Sequence, residues 1–225
     1  MAQEIKIEKK SSEVVQPQTE KEARLSIHDK QDLSGASLQG MMLNNLNTVG
    51  SILRKTDLSG AILSHGLFVN ANFYRASLYQ AGVNNTIFVG GDLVKTSFRE
   101  ADLSESVLLG VDAENASFEG ANMRGAALVR ADFEGANFTG ANLSGVRLAS
   151  CDVTDADFTN ADLSGARAFH VDWSKAKAPP AILPEPLIEL PRWALPVLIG
   201  GALSSLSLLI YFIVRKNKSK SETAV

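Results

Sequence analysis

From Leu33 to Trp173 every fifth residue is apolar or small, and the register never slips. The series opens Leu33, Leu38, Leu43, Thr48, Leu53, Leu58 and closes Phe158, Leu163, Ala168, Trp173. A period of five fits neither the α-helix nor a continuous strand, whose side chains recur at 3.6 and 2.0 residues. Such a series points inward throughout only if the chain turns a corner after each short straight piece. The pattern therefore predicts a solenoid over residues 31–175.

Two residues before most inward positions stands a small side chain, as at Ala36, Ala61, Ala76, Ala101, Ala121 and Ala141. A second inward position beside a tight corner has little volume, which explains the choice. Met41 and Leu46 break the rule in the first coils. Cys151 falls in this small column and reads as a buried filler thiol. It is the only cysteine, which excludes an internal disulfide and a cysteine metal cluster. Between the inward positions lie Asp or Asn and Ser, Thr or Gly, residues whose short polar groups or left-handed tolerance suit turns.

Units such as Ala131-Asp132-Phe133-Glu134-Gly135, Ala136-Asn137-Phe138-Thr139-Gly140 and Ala161-Asp162-Leu163-Ser164-Gly165 carry the motif A(D/N)LXX, and the chain resembles the pentapeptide-repeat family. The resemblance implies an all-β solenoid, a right-handed quadrilateral β-helix with four repeats per coil and about seven coils. Coils would stack at about 4.8 Å, making a rod roughly 34 Å long. Residues twenty apart then form columns, one of which becomes Leu38, Leu58, Leu78, Phe98, Phe118, Phe138, Phe158.

In that frame one outer face is wrong for water. Leu67 and Val69, Ile87 and Val89, Val107 and Leu109, then Ala127 and Val129 flank one inward column, with Val49 extending it. The large aliphatics would form an apolar panel of roughly 350 Å², at the upper edge for a monomer. Covering it would contribute at most about 9 kcal/mol before association costs. The panel is the expected partner-binding surface; a segment of the same chain folded over it is the alternative. Further along the same face Arg130, Arg147, Arg167 and His170 form a basic patch suited to lipid headgroups or acidic groups of a membrane partner. Another face carries Asp92, Asp112, Asp132 and Asp152 in a column, with Glu114 and Glu134 beside it, interrupted by Lys55, Arg75 and Lys95.

The composition changes at both ends. Residues 1–30 are polar and charged, without an apolar run that would serve as a secretory signal, and read as a disordered arm with a short cap helix at its end. Residues 176–191 form a Pro-rich linker, semi-rigid and able to extend roughly 50 Å at about 3.1 Å per residue. Residues 193–214 (WALPVLIGGALSSLSLLIYFIV) hold no charge and are long enough for a hydrocarbon core of about 30 Å, so a single C-terminal transmembrane α-helix is expected over residues 192–215. Trp193 and Tyr211 sit toward its two ends as interfacial anchors. Gly200 with Ser204, and Gly201 with Ser205, place small residues one turn apart for close approach of another helix. Residues 216–225 form a basic polar tail.

Cations after the span outnumber those before it, which favours a cytoplasmic C-terminus. Moving the repeats across a membrane needs a signal that residues 1–30 lack, so the rod is expected on the cytoplasmic or stromal side. With a formal net charge of −3 the chain has no overall pull toward nucleic acid. There is no nucleophile–base pair, phosphate-cradling loop or metal spacing. No catalytic residues, cofactor, metal or small-molecule substrate are expected. The expected role is a membrane-anchored scaffold or assembly subunit. The resemblance, to a family numerous in cyanobacteria and present in chloroplasts, suggests a thylakoid membrane and a photosynthetic or transport complex. The alternative it offers is a DNA-mimicking, topoisomerase-binding protein that uses the acidic face.

Overall fold

The computed structural model describes residues 29–186. The chain divides into two compact units, Met1–Leu187 and Ile188–Val225, and all described residues belong to the first. Residues 1–28 of the arm expected over residues 1–30, and the expected transmembrane helix, lie outside the described residues; Asp29 and Lys30 instead bond to Val49 of the first coil. Among the described residues no helix is long and apolar enough to cross a membrane.

The five-residue period winds into four-sided coils. Three sides of each coil pair through single parallel bridges, such as Asn72↔Asp92, Ser77↔Ser97 and Gly82↔Asp102. The fourth side forms true strands: β1 (Asn47–Val49), β2 (Leu67–Val69), β3 (Ile87–Val89), β4 (Val107–Leu109), β5 (Ala127–Val129), β6 (Arg147–Ala149) and β7 (Arg167–Phe169). With β8 (Glu185–Pro186) they make one parallel sheet in sequence order. The register from β1 to β7 is twenty residues throughout, as in Phe68↔Phe88 and Leu108↔Leu128.

Inside, the predicted phenylalanine column exists. Phe98, Phe118, Phe138 and Phe158 stack with centroids 4.8–5.1 Å apart and planes within 5°. That separation is the inter-strand distance, so each ring lies flat on the next coil's ring. Phe133 meets Phe118 and Phe138 edge-on at 5.8 and 5.3 Å, tying a neighbouring side to the ladder.

Two devices turn the corners. The Asp or Asn side chain before an inward residue accepts the backbone N–H two positions on, as Asp132 does from Glu134 at 2.9 Å and Asn137 from Thr139 at 2.9 Å. Every fifth residue from Lys30 to His170 then takes a left-handed backbone, with φ between 51° and 72°. Glycine fills only some of these corners. Lys55, Arg75, Glu105 and Arg130 hold the same conformation, a cost of roughly 1–2 kcal/mol each that coil stacking must offset.

The last coil departs from the rule. After Asp172 caps a 3-10 turn (Trp173–Lys175), Trp173 closes the ladder edge-on against Phe158 at 5.3 Å. The turn adds one residue, so Ala178 bridges Asp157. Only seven residues later Glu185 is level with Arg167, where a regular coil uses ten from Asp157 to Arg167. The chain thus skips the third side. Pro179, Pro180 and Pro184 fall in this shortcut, where a missing amide donor and fixed φ oppose a regular rung. Residues 176–186, expected to stretch away from the rod, instead close it as a shortened eighth coil. Residues 187–191 of the expected linker lie outside the described residues.

Candidate functional site

The strand side presents the only outer surface built mainly from aliphatics among the described residues. Because β1–β5 share one register, Leu67, Ile87, Val107 and Ala127 form one outward column, and Val49, Val69, Val89, Leu109 and Val129 the other. Alternation on a short strand sends the middle residue inward and both flanks outward, so the four rungs β2–β5 bring all seven predicted panel residues onto one face, with Val49 of β1 extending it.

Their exposure is uneven. Val49 is 45% exposed and Leu67 36%, while Val69, Ile87, Val89, Val107 and Val129 are half-buried. Leu109 is 6% exposed and Ala127 2%. Side chains stacked at strand spacing hide one another's flanks, so the free apolar area is smaller than a sum over separate residues suggests. Arg147 adds to this at one end: its guanidinium reaches back to within 3.5 Å of the Gly125 carbonyl, alongside Ala127. Burial varied because it depends on the rungs above and below, which a reading of each residue alone does not capture.

The basic patch sits on the same side, in later coils. Arg147 and Arg167 are register partners on β6 and β7. Arg130 and His170 occupy left-handed corners two coils apart in one column. His170 stacks on Phe169 at 5.4 Å. Arg167 is level with Glu185 of β8, which places a carboxylate beside this patch. The shortened last coil brought that acid in.

The side that follows in the chain is polarised along the rod. Coils containing Leu53 to Leu93 carry Arg54, Lys55, Arg75 and Lys95 outward. Arg54 and Arg75 each lie over the Tyr74 ring at 5.1 Å, an arrangement in which the aromatic quadrupole attracts both cations. Later coils carry Asp112, Glu114, Asp132, Glu134, Asp152 and Asp155 instead. The aspartates there also serve the fold. Hydrogen bonds from the Thr154 hydroxyl and amide hold Asp152 below the usual carboxylate range. The same bonds from Thr159 lower Asp157.

Cys151 is buried, and desolvation pushes its thiol up to about 11. Its Sγ lies 3.3 Å from the Leu128 carbonyl. Thr56, Thr86 and Thr96 make the equivalent bond 23 residues back, to Leu33, Leu63 and Phe73. The cysteine therefore does a threonine's structural job. Among the described residues no group of three His, Cys, Asp or Glu is placed to hold a metal ion. Trp193, Gly200, Gly201, Ser204, Ser205 and Tyr211 lie outside the described residues. Two features went unseen in the sequence: the Arg54–Tyr74–Arg75 stack, which joins adjacent coils, and the exposed pair Ile182 and Leu183 on the closing loop.

Comparison with known proteins agrees with this architecture. The pentapeptide repeats family matches in eight copies, over residues 32–66, 51–90, 96–135 and 126–165. No curated protein matches the chain. Among solved structures, trypsin-treated QnrB1, a plasmid-mediated fluoroquinolone resistance protein, is similar at 22% identity. That match covers 78% of this chain and 96% of the other, with a TM-score of 0.51. HetL, a protein involved in heterocyst differentiation regulation in the cyanobacterium Nostoc, is 23% identical, covering 70% and 92% of the two chains with a TM-score of 0.35. A protein of the Arabidopsis thaliana thylakoid lumen is 31% identical over 52% of this chain and 68% of its own, with a TM-score of 0.20. At 22% identity the QnrB1 likeness speaks to fold alone.

Proposed function

Since the chain belongs to the pentapeptide repeat family, we propose that it is a membrane-anchored scaffold or assembly subunit that docks a protein partner through the wall formed by β1–β5. The observation that carries this reading is the wall itself: two parallel columns of outward aliphatics, one on five consecutive rungs and one on four, where the other sides carry mostly Asp, Asn, Ser and Thr with Met42 and Ile62 as exceptions. A spacer has no use for such a face, and a docking surface does. Anchoring is supported by the uncharged, apolar run of residues 193–214 and the cations Arg215, Lys216, Lys218 and Lys220 after it. The rod then stands on the cytoplasmic or stromal side, and protease digestion of sealed vesicles tests this by removing the rod while sparing the tail.

Docking is tested by purifying the full chain in mild detergent and identifying what comes with it. The informative variant joins Val69→Asp and Val89→Asp, both half-buried; Leu109 is too buried to accept a charge without disturbing the fold. The partner should be lost while far-ultraviolet circular dichroism is unchanged. A complex that survives the double change refutes the assignment.

A second reading has its own observation. Asp112, Glu114, Asp132, Glu134, Asp152 and Asp155 line one side of the later coils, with Lys175 beside Asp152 at its end, a surface that would imitate the charge of DNA. This DNA-mimic reading predicts salt-sensitive competition with DNA for a DNA-binding partner, weakened by Asp112→Asn with Asp132→Asn.

A further inference from the structure

We propose that the closing loop, through Ile182 and Leu183, inserts into the lipid interface and seats the end of the rod on the bilayer. The proposal rests on the reading that residues 193–214 cross that bilayer. Ile182 is 79% exposed and Leu183 59%, the highest values among the large hydrophobic residues described. They are adjacent, and they sit on a loop held at both ends. On one side the Phe158 amide donates to the Ala178 carbonyl at 2.8 Å, and on the other Glu185 donates to Ala166 at 3.1 Å. Pro179, Pro180 and Pro184 stiffen the segment between. Two large aliphatics are thus displayed by a rigid loop at the end of the solenoid rather than left on a loose strand.

What fits them follows from the chain. Because residues up to Pro186 belong to the shortened last coil, the free connection is not the long Pro-rich spacer. Seven residue steps separate Pro186 from Trp193, at most roughly 25 Å when fully extended. A chain anchored by residues 193–214 would therefore hold the end of the rod within that distance of the interface. Apolar side chains held there gain by leaving water. On this proposal apolar burial rather than charge supplies the attraction. Lys177 is paired with Asp157 at 3.2 Å, and Arg167 is level with Glu185. The contact should therefore depend weakly on salt and on anionic lipid.

The test uses the full chain reconstituted in vesicles of equal parts phosphatidylcholine and phosphatidylglycerol. Ile182→Cys and, separately, Leu183→Cys are labelled with an environment-sensitive fluorophore. Cys151 is buried and stays unlabelled in the folded protein. Met42→Cys, 53% exposed in the first coil, serves as the distant reference. Labels at 182 and 183 should shift to the blue with several-fold brighter emission, and nitroxide lipids labelled near the headgroup should quench them. The label at 42 should report water. The same emission and quenching in vesicles of pure phosphatidylcholine supports apolar seating over a charge contact. Labels at 182 and 183 that behave like the label at 42, in protein that floats with the vesicles, overturn the seating alone. A blue shift without quenching by lipid nitroxide signifies a protein contact and also overturns it. Failure of the chain to float, or its release by alkaline carbonate, overturns the anchor and the seating together.

Discussion

Phe118 is the test of whether the aromatic ladder holds the rod together. Its ring is fully buried, stacked between Phe98 at 5.1 Å and Phe138 at 4.9 Å, with Phe133 edge-on at 5.8 Å. Phe118→Ala removes a complete ring from a site whose walls are backbone rungs fixed by hydrogen bonds, so little collapse is available. A cost of about 3–5 kcal/mol follows from burial and the cavity left. Phe118→Leu is the discriminating change, because earlier coils place Leu38, Leu58 and Leu78 in this same column. The backbone accepts leucine there, and the loss reduces to the ring contacts and a smaller gap, about 1–2 kcal/mol. Urea unfolding of the full chain in mild detergent, followed by circular dichroism, reads both. A central lesion in a solenoid also weakens nearest-neighbour coupling, so Phe118→Ala should broaden the transition more than Phe118→Leu. Equal costs for the two variants, or a loss below about 1 kcal/mol for alanine, would show that backbone pairing rather than the ladder carries the stability.

The left-handed corners predict opposite signs for opposite changes. Gly140 has φ +66° and open space around an added Cβ, so Gly140→Ala should cost about 1 kcal/mol from backbone strain alone. Lys55→Gly, at φ 56°, should raise stability by a few tenths of that, measured by the same unfolding curves. Cys151→Thr should leave stability within about 1 kcal/mol, since threonine makes the matching bond at 56, 86 and 96. In the native protein at pH 8 a thiol reagent should react with Cys151 only at the rate of unfolding, because its thiol is pushed up to about 11. Asp152, Asp157, Asp162 and Asp172 are all held below their ordinary value of 3.8, chiefly by bonds from the Ser or Thr two residues on. Their stabilisation is therefore present above that value and lost as pH falls through the lowered folded values. Melting temperature should decline on acidification below about pH 4, and less so in Thr154→Val with Thr159→Val.

Much of this protein follows from residue order alone. A five-residue apolar period demands a solenoid, and the twenty-residue stagger that the family resemblance implies then assigns every side chain to a side and a column. That places Leu67, Val69, Ile87, Val89, Val107, Leu109 and Val129 on one face. What residue order could not supply was the effect of neighbours twenty residues away. The burial of Leu109 and Ala127, and the two arginines over Tyr74, exist only once coils stack at strand spacing. The corners were half-legible: glycine marks some of them, but Lys55 and Glu105 adopt the same φ because the coil leaves them no other path. The end of the rod was not legible at all. Prolines at 179, 180 and 184 read as an extended spacer, since local preference favours it. Pairing to β7 and the capping of Phe158 by Trp173 outweighed that preference and drew the segment onto the last rung. Local chemistry set the period; contacts between coils decided which surfaces remain free to meet a partner or a membrane.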